Sequence, residues 1–167
     1  MFTDMIKARA KVRIHHERQY DFDEKTGLWI YRTVDEDEEV YNLLTNTGRV
    51  QLHTFAYGTA PRTNGFNYIA LTDDATPPAA TDTVLTGELV GNGLTRVQGS
   101  VTLPTGSGNI TTVLNVFTYS GGVAQSVQKT ALFDSAAVGV MNHELAFTPR
   151  VLTTSDTLSV TFSITLG

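Results

Sequence analysis

The stretch that decides the fold is Thr157-Leu158-Ser159-Val160-Thr161-Phe162-Ser163-Ile164-Thr165-Leu166, close to the C-terminus. Large apolar side chains alternate in it with Ser and Thr. An extended chain therefore places every apolar side chain on one face and every hydroxyl group on the other. This period of two predicts a β-strand with one face in a hydrophobic core and the other face exposed to water or paired.

The segments before this strand also predict strands. The strand at 110–119 is apolar on both faces, which predicts a central position in a sheet. Gly121-Gly122 predicts a tight hairpin turn after it, and Pro149 is expected to stop the strand that begins at His143. Short strands about 10 residues apart, joined by Gly-rich turns, predict a mainly β protein, an antiparallel β-sandwich of the Ig-like or jelly-roll kind. Strands of this type are predicted at 94–103, 110–119, 123–133 and 143–148.

Further upstream, one strand leads into a long connection. An apolar strand from residue 66 runs into an acidic turn at Asp73-Asp74, and Pro77-Pro78 then forces extended backbone. Thr81 or Asp82 is predicted to cap a short helical turn that follows. The whole segment is expected to organise the chain between a charged N-terminal part and an almost uncharged C-terminal part.

One short helix is predicted between these two parts. Thr45 or Asn46 can cap it, and Gly58 is expected to close it. The sequence predicts no other full helix.

The charged residues are distributed unevenly along the chain. The net charge is -5 over 167 residues, and residues 1–50 hold 18 of the 29 Asp, Glu, Lys and Arg residues. Lys129 is the only lysine after Lys25. This division predicts a charged N-terminal hairpin or arm at 1–41 and a β-sandwich domain at 42–167.

The predicted arm begins with a stripe of basic residues. Every odd residue from 7 to 13 is basic and every even residue from 8 to 14 is apolar, so a strand would present a cationic row on one face. A turn with Gly27 at positive φ then leads into a returning strand at 28–34. The basic residues of the stripe are Lys7, Arg9, Lys11 and Arg13.

An acidic run follows the returning strand at 35–39. It is interpreted as a solvated loop or, alternatively, as the partner of the basic stripe, within the molecule or on a neighbouring subunit. A calcium site is the third hypothesis, but the spacing is not that of an EF-hand loop.

Aromatic residues cluster around the same predicted hairpin. They are Tyr20, Phe22, Trp29 and Tyr31. They are interpreted either as the core of a small subdomain or as an exposed patch that binds sugar or docks on another subunit. With the basic stripe, Trp29 and Tyr31 are the candidate partner-binding residues.

No catalytic, metal or cofactor site is predicted, and the chain is expected not to be an enzyme. The carboxylates nearest to a catalytic arrangement are those of Asp73, Asp74, Asp82 and Glu88. Neighbouring residues on a strand point to opposite faces, so turn formation and capping explain these carboxylates better than glycoside hydrolysis does. The chain has no cysteine and no HExxH, GxSxG or phosphate-binding Gly motif.

The composition also bears on partners and location. A net negative charge argues against nucleic acid as a partner. No apolar run approaches the roughly 18 residues that span a bilayer, and Asp4, Lys7 and Arg9 interrupt the apolar N-terminus, so neither a membrane span nor a secretory signal is expected.

A string of short runs, in order over residues 42–167, resembles a family of tailed-bacteriophage virion structural proteins. The runs are Asn42-Leu43-Leu44-Thr45-Asn46-Thr47-Gly48-Arg49, Tyr68-Ile69-Ala70-Leu71-Thr72-Asp73-Asp74, Pro77-Pro78-Ala79-Ala80-Thr81-Asp82-Thr83, Gly93-Leu94-Thr95-Arg96, Val127-Gln128-Lys129-Thr130-Ala131-Leu132-Phe133-Asp134 and Asp156-Thr157-Leu158-Ser159-Val160-Thr161-Phe162-Ser163-Ile164-Thr165. Members of this kind are capsid decoration (cement) proteins or tail-fibre proteins, and no catalytic residues come with the family.

The resemblance implies a non-enzymatic virion protein, and a capsid decoration protein on the outer face of the head is the first expectation. Its partners would be the major capsid protein and copies of itself, as a trimer, without nucleic acid or membrane. It would be assembled in the host cytoplasm. The alternative is a tail-fibre or baseplate component that recognises a host-surface glycan.

Overall fold

The protein is mainly β, with two antiparallel sheets and one helix, in a computed structural model that describes residues 8–35, 38–41, 43–57, 65–106 and 108–166. The elements are β1 (Ala8–Asp23), β2 (Leu28–Thr33), β3 (Glu38–Tyr41), β4 (Leu43–Leu44), α1 (Asn46–Tyr57), β5 (Tyr68–Thr72), β6 (Val97–Gln98), β7 (Ser100–Thr102), β8 (Ile110–Thr118), β9 (Gln125–Phe133), β10 (Met141–Leu152) and β11 (Thr157–Leu166).

Sheet A has the strand order β2-β1-β11-β8-β7, and β3 also pairs with β1. Sheet B has the order β4-β10-β9-β5-β6. The two sheets form one hydrophobic core between them, so the predicted antiparallel β-sandwich is confirmed.

The alternating stretch at the C-terminus lies in the middle of sheet A, as β11. Its apolar residues Leu158, Val160 and Phe162 are all completely buried. Ile69 of β5 and Leu132 of β9 belong to the same core cluster from sheet B. The period of two therefore identified both the strand and its buried face.

The first strand, β1, lies on the N-terminal side of the predicted domain boundary between residues 41 and 42 but belongs to the sandwich. β1 pairs with β11 over residues 8–17, and Val12 and Ile14 are completely buried in the core between the sheets. The apolar face of the predicted stripe is thus part of the sandwich. Only the hairpin beyond Glu17 extends outside it.

The helix begins as predicted, because Thr45 caps it. Its Oγ1 accepts a hydrogen bond from the N–H of Gly48 at 3.0 Å. A β-carbon on Gly48 would lie 2.5 Å from the carbonyl oxygen of Asn142, so glycine lets the helix backbone approach β10 closely. The predicted end at Gly58 lies outside the described residues.

The connection after β5 covers the outer face of sheet B. Leu85 on this connection is buried in a second apolar cluster, with Phe133 of β9 and Met141 of β10. The predicted helical turn is wrong: the segment forms separate turns, and Asp82 accepts the N–H of Ala79 at 2.7 Å instead of capping a helix. Covering an apolar sheet face decides the conformation of this segment more than local capping does.

Two strand predictions failed because the chain changes sheets. The predicted strand at 94–103 divides at Gly99 into β6 of sheet B and β7 of sheet A. The predicted hairpin at Gly121-Gly122 is wrong too, since β8 and β9 belong to different sheets. Tyr119 is buried in this crossing, and its hydroxyl donates to the carbonyl of Val123.

Pro149 does not end its strand. β10 continues to Leu152 through an irregularity in its pairing with β9 between Ala146 and Arg150. Where the hydrogen-bond ladder between β9 and β10 is interrupted, the strand needs no backbone N–H donor. Proline, which has none, therefore fits within the strand.

Candidate partner-binding site: the arm and its root

The first two strands project beyond the sandwich as a two-stranded ribbon. Glu17 is the last residue of β1 that pairs with β11, and from Arg18 to Asp23 the strand pairs with β2. We call residues 18–33 the arm. Gly27 has φ of 70° in its turn and donates its N–H to the carbonyl of Asp23 at 2.8 Å, which confirms the predicted turn.

Asp23 holds the tip of the arm. Its carboxylate accepts the hydroxyl of Thr26 at 2.8 Å and the N–H of Lys25 at 2.9 Å. The pKa of Asp23 is lowered, first by the bond from Thr26 and then by the one from Lys25. The ionised carboxylate is therefore part of the turn.

The aromatic side chains of the arm divide between its two faces. Trp29 lies opposite Phe22, their ring centroids are 5.1 Å apart at 61°, and Tyr31 shares their face because it is two residues from Trp29. An irregularity between Gln19 and Asp21 changes the alternation of β1. We call this face of the ribbon the Trp29 face.

The opposite face of the ribbon carries both apolar and charged side chains, because Asp21 and Asp23 of β1 lie opposite the two apolar residues of β2. It carries Leu28 and Ile30, which alternate with Trp29 along β2. Tyr20 lies against the guanidinium of Arg32, 3.7 Å from ring centroid to Cζ. We call this the Leu28 face.

All six residues of β2 are exposed. The exposed fractions of the large apolar side chains of the arm are 66 % for Leu28, 61 % for Tyr20, 55 % for Trp29, 43 % for Phe22 and Tyr31, and 41 % for Ile30. The interpretation as the core of a small subdomain is wrong, because no second layer of the described chain covers the ribbon. These residues form an exposed patch, as the alternative hypothesis held.

The basic stripe lies on the outer face of sheet A, directly before the arm. Lys11 and Arg13 are exposed and alternate with buried residues, so the predicted alternation is confirmed for them. Arg9 pairs with Thr165 through the backbone. Lys7 lies outside the described residues. The structure thus brings part of the stripe and the arm onto one strand.

The acidic run pairs within the molecule where it is described. Glu39 lies 3.5 Å from the ammonium of Lys11, which confirms one pairing with the basic stripe. Glu38 and Asp35 instead lie 3.3 Å and 3.6 Å from the guanidinium of Arg150 in sheet B. Glu36 and Asp37 lie outside the described residues.

The root of the arm is held by a buried carboxylate that sequence reasoning missed. Asp156 is completely buried and accepts bonds from Arg18 Nε at 3.2 Å and from the N–H of Thr153 at 2.8 Å. His16 is buried between Asp156 and Asp35, with one ring nitrogen 3.2 Å and the other 2.8 Å from the carboxylates.

This network sets the protonation of Asp156. Burial raises its pKa, but the bonds from Arg18, Thr153 and His16 outweigh burial and lower the pKa overall. In the sequence Asp156 resembles only a turn residue before a strand. Its role depends on residue 18, which is 138 positions away.

The four predicted carboxylates have structural partners. The carboxylate of Glu88 accepts a hydrogen bond from Nε of Arg96 at 2.8 Å. A carboxylate oxygen of Asp74 lies 2.6 Å from the ammonium nitrogen of Lys129. Asp74 has a lowered pKa, chiefly because of that bond. Arg96 also stacks 3.5 Å from the ring centroid of Phe133. These contacts hold the connection after β5 against the outer face of sheet B.

Lys129 is itself buried and meets a second carboxylate. Its ammonium lies 3.4 Å from Glu144, which is also buried. Burial and a hydrogen bond with Asp82 raise the pKa of Glu144 to about 7, against the opposing effect of Lys129. Neither Lys129 nor Glu144 was singled out as a charge pair from the sequence.

Two searches of the described residues bear on chemistry and membranes. They contain no group of three or more His, Cys, Asp or Glu side chains placed to hold a metal ion. Among the same residues, no helix has the length and apolar character needed to cross a bilayer.

No protein-family model matches the chain, and no curated protein matches it. The fold and the site define an antiparallel β-sandwich with a projecting two-stranded arm that exposes large apolar side chains on both faces.

Proposed function

We propose that this protein is a non-enzymatic structural component of a tailed-bacteriophage particle and that it decorates the outer face of the head as a cement protein. The observation that carries the proposal is the arm, which exposes large apolar side chains on both faces of a projecting ribbon. An isolated ribbon of two strands is marginally stable in water and gains most from a surface that covers it. Further support comes from the short runs that resemble virion structural proteins.

The proposed attachment uses the outer face of sheet A together with the arm. Lys11 and Arg13 lie on that face and meet an acidic surface of the major capsid protein, while the arm reaches a neighbouring subunit. Each contact is small, but many identical copies on one shell add their contacts by avidity. The protein would then be found on the virion after assembly in the host cytoplasm.

The first experiment is the copy number of this chain relative to the major shell protein, measured by quantitative mass spectrometry of purified particles. A decoration protein is expected at a ratio near one or at a simple fraction such as one third. A ratio of a few per cent would overturn placement on the head. Heads that lack the protein and keep full heat resistance, with no density missing, would argue equally against the cement role.

The second experiment tests the contact itself, with heads that lack the protein and purified variants added back. Trp29→Ser combined with Tyr31→Ser is expected to weaken binding about tenfold or more, because it removes two exposed aromatic anchors. Val90→Ser is the control, since Val90 is an apolar residue that is even more exposed and lies far along the chain from the arm. Equal binding by both variants would exclude the Trp29 face from the attachment.

One observation favours a second candidate function, a tail component that binds a host-surface glycan. Trp29 and Tyr31 expose their rings on one face, and aromatic rings offer flat apolar surfaces to sugars. A glycan array is expected to give a signal that Trp29→Ser abolishes, together with a copy number of a few to a few tens per particle.

A further inference from the structure

A buried lysine lies between two carboxyl groups on the outer face of sheet B. The side chains of Lys129 and Glu144 are each 2 % exposed, and that of Asp74 is 20 % exposed. The side-chain nitrogen of Lys129 lies 2.6 Å from Oδ2 of Asp74 and 3.4 Å from Oε1 of Glu144. We call these three residues the Lys129 triad. They bring an amine, an acyl carbon and a group that can carry a proton close to one another.

Three neighbouring strands position the Lys129 triad. β9 lies between β5 and β10 in sheet B, and Lys129 on β9 is paired with Thr72 of β5 and with Ala146 of β10. Glu144 precedes Ala146 by two residues and therefore shares the face of Lys129. Asp74 follows Thr72 by two residues, just past the end of β5, and contacts Lys129 from there. The ladders of the sheet thus hold the three side chains in a fixed arrangement.

The connection after β5 covers the Lys129 triad. Leu85 on this connection packs with Phe133 in the apolar cluster on the same face of sheet B. Asp82, also on the connection, forms a hydrogen bond with Glu144. Exclusion of water protects an acyl group from competing attack by solvent. Asp74 lies at the partly exposed edge of the site, where a released water molecule can leave.

A simple ion pair between Lys129 and Asp74 leaves Glu144 unexplained. One carboxylate neutralises one ammonium, and a second buried carboxyl adds a cost of burial without a charge to balance. Burial, and then the hydrogen bond with Asp82, raise the pKa of Glu144 to about 7, so below that pH its carboxyl keeps its proton. A protonated carboxyl beside an amine can donate one proton while it accepts another.

We propose that Nζ of Lys129 and Cγ of Asp74 become joined by an amide (isopeptide) bond once the chain has folded, with Glu144 as the residue that transfers the protons. The bond forms within one chain and ties the end of β5, and with it the connection, to β9. This inference goes beyond the proposed function, because it requires neither a phage particle nor a second copy of the chain.

The reaction is balanced in atoms and charge. The ammonium of Lys129 first gives a proton to the carboxylate of Asp74, which leaves a neutral amine and a neutral carboxylic acid. The lone pair of Nζ then attacks Cγ and forms the C–N bond, while the electron pair of the C=O bond moves onto oxygen. Glu144 donates its proton to the hydroxyl group on Cγ and takes one from Nζ. The C–O bond breaks, water leaves, and Glu144 returns to its starting state without any oxidant, reductant or cofactor.

The geometry favours the rate of this reaction, and burial favours its product. A nitrogen 2.6 Å from a carboxylate oxygen lies about 3–3.5 Å from the carboxyl carbon, the separation of a near-attack arrangement. Groups held in this way react with effective molarities of about 10⁵ M or more, far above the concentration of the competing water. The amide is neutral, so its formation also removes two charges from a largely buried site.

The intact mass of the purified protein tests the inference directly. The wild-type chain is expected to weigh less than its sequence by the mass of one water molecule. Lys129→Arg keeps the positive charge but replaces the amine by a guanidinium that stays protonated, so this variant is expected to have its full sequence mass. It is also the control, because the exposed pair of Lys11 and Glu39, 3.5 Å apart, is unchanged in it. A wild-type protein that keeps its full mass after days at neutral pH, or a water loss that persists in Lys129→Arg, would overturn the inference.

Tryptic peptides locate the bond. Trypsin does not cleave after an acylated lysine, so the digest is expected to contain peptides 63–96 and 97–150 joined, with one water less than the sum of their masses. Peptide 63–96 carries Asp74, and peptide 97–150 carries both Lys129 and Glu144. An unmodified peptide 63–96 beside a peptide 97–150 that has lost one water would place the bond on Glu144 and refute the assignment to Asp74. This measurement uses the wild-type protein, so it decides the question even if a variant fails to fold.

The role of Glu144 is tested by the rate of bond formation. Cell-free synthesis sampled over time shows how fast the mass of water is lost from the new chain. Glu144→Gln keeps the shape of the side chain but has no acidic proton, so it is expected to slow this loss by about a hundredfold or more. An unchanged rate in Glu144→Gln would show that Glu144 does not transfer the protons.

Discussion

The sandwich and the arm are built from the same alternating pattern, yet their apolar residues have opposite surroundings. Phe162 on β11 is completely buried, whereas Trp29 on β2 is 55 % exposed. The strands of the sandwich have a second sheet about 10 Å away, and those of the arm have none. Alternation therefore specifies which face of a strand is apolar but not what covers that face.

The two regions also use the same charged residue type differently. Asp156 at the root of the arm is buried and bonds to three other side chains, whereas Asp23 at the tip is only partly buried and bonds within its own turn. Both carboxylates have lowered pKa values. Only at the root does the carboxylate join distant parts of the chain, so only there do we expect a large effect on folding.

The largest effect is expected in the core of the sandwich. Phe162→Ala should lower the free energy of unfolding by about 3–5 kcal/mol, because it leaves a cavity between the sheets that packed neighbours cannot fill. Chemical denaturation followed by circular dichroism measures this loss. Val90→Ala, at an exposed position, is the control. A loss below about 1 kcal/mol for Phe162→Ala would mean that β11 is not central to the core.

A somewhat smaller effect is expected at the root of the arm. Asp156→Ala should cost about 3 kcal/mol, because it leaves the buried His16 and the half-exposed Arg18 without the carboxylate that they share. Asp156→Asn keeps the shape of the side chain and should cost less. If the alanine variant unfolds at the wild-type denaturant concentration, the network does not fix the arm to the sandwich.

The same network gives a pH dependence with a definite sign. The pKa of Asp156 in the folded protein lies below its ordinary value of 3.8. Its contribution to stability is therefore complete above that value and is lost as the pH falls through the lower, folded pKa. Between pH 5 and pH 2, the Asp156→Asn variant should consequently lose less stability than the wild-type protein does.

Much of the architecture could be predicted from local patterns. The alternation of β11, the turn at Gly27 and the cap at Thr45 are each encoded within a few residues, and all three were predicted. The assignment of strands to sheets could not be predicted in this way. Nothing near Gly99 or Gly121 distinguishes a hairpin from a crossing between sheets, because that choice depends on which strands are already paired.

The sequence predicted individual residues of the candidate site but not how they are arranged. Trp29, Tyr31 and the basic stripe were identified as residues, but their exposure depends on where β1 leaves β11. Arg18 and His16 contact Asp156 from 138 and 140 positions away, and Asp74 contacts Lys129 from 55 positions away. Buried charge networks are defined by tertiary packing, and a sequence shows only that charged residues are present.

A moderate effect is expected at the second buried network, under the connection that covers sheet B. The pKa of Glu144 is raised from 4.5 to about 7, so the folded protein favours the protonated carboxyl. The stabilisation of the folded protein by the protonated carboxyl of Glu144 is complete below pH 4.5 and is lost as the pH rises toward 7. The Glu144→Gln variant has no carboxyl to titrate at this position. From pH 4.5 to pH 7, its free energy of unfolding minus that of the wild type should therefore rise by on the order of 2 kcal/mol.

Thermal unfolding at pH 4.5, 6 and 8 measures this difference. Glu39→Gln serves as the control, because Glu39 is exposed and pairs with Lys11 at the surface. A constant difference between Glu144→Gln and the wild type across this range would mean that Glu144 is already ionised beside Lys129 in the folded protein.

The smallest effect on stability is expected in the arm itself. Trp29→Ala removes the edge contact with Phe22 but opens no cavity, so the free energy of unfolding should change by less than about 1 kcal/mol. The difference between the losses for Phe162→Ala and Trp29→Ala measures how much a covering sheet adds to the stabilisation by an aromatic residue on an alternating strand. A loss near that of Phe162→Ala would show that the arm is covered in the free protein.

Trp29 also reports on its own surroundings, because it is the only tryptophan of the chain. With 55 % of the side chain exposed, its fluorescence should be quenched readily by acrylamide in the free protein. Addition of heads that lack the protein should shift the emission to shorter wavelength and protect it from quenching, since burial of the Trp29 face removes water from the indole. Protection that appears on self-association alone would assign the Trp29 face to the contact between copies.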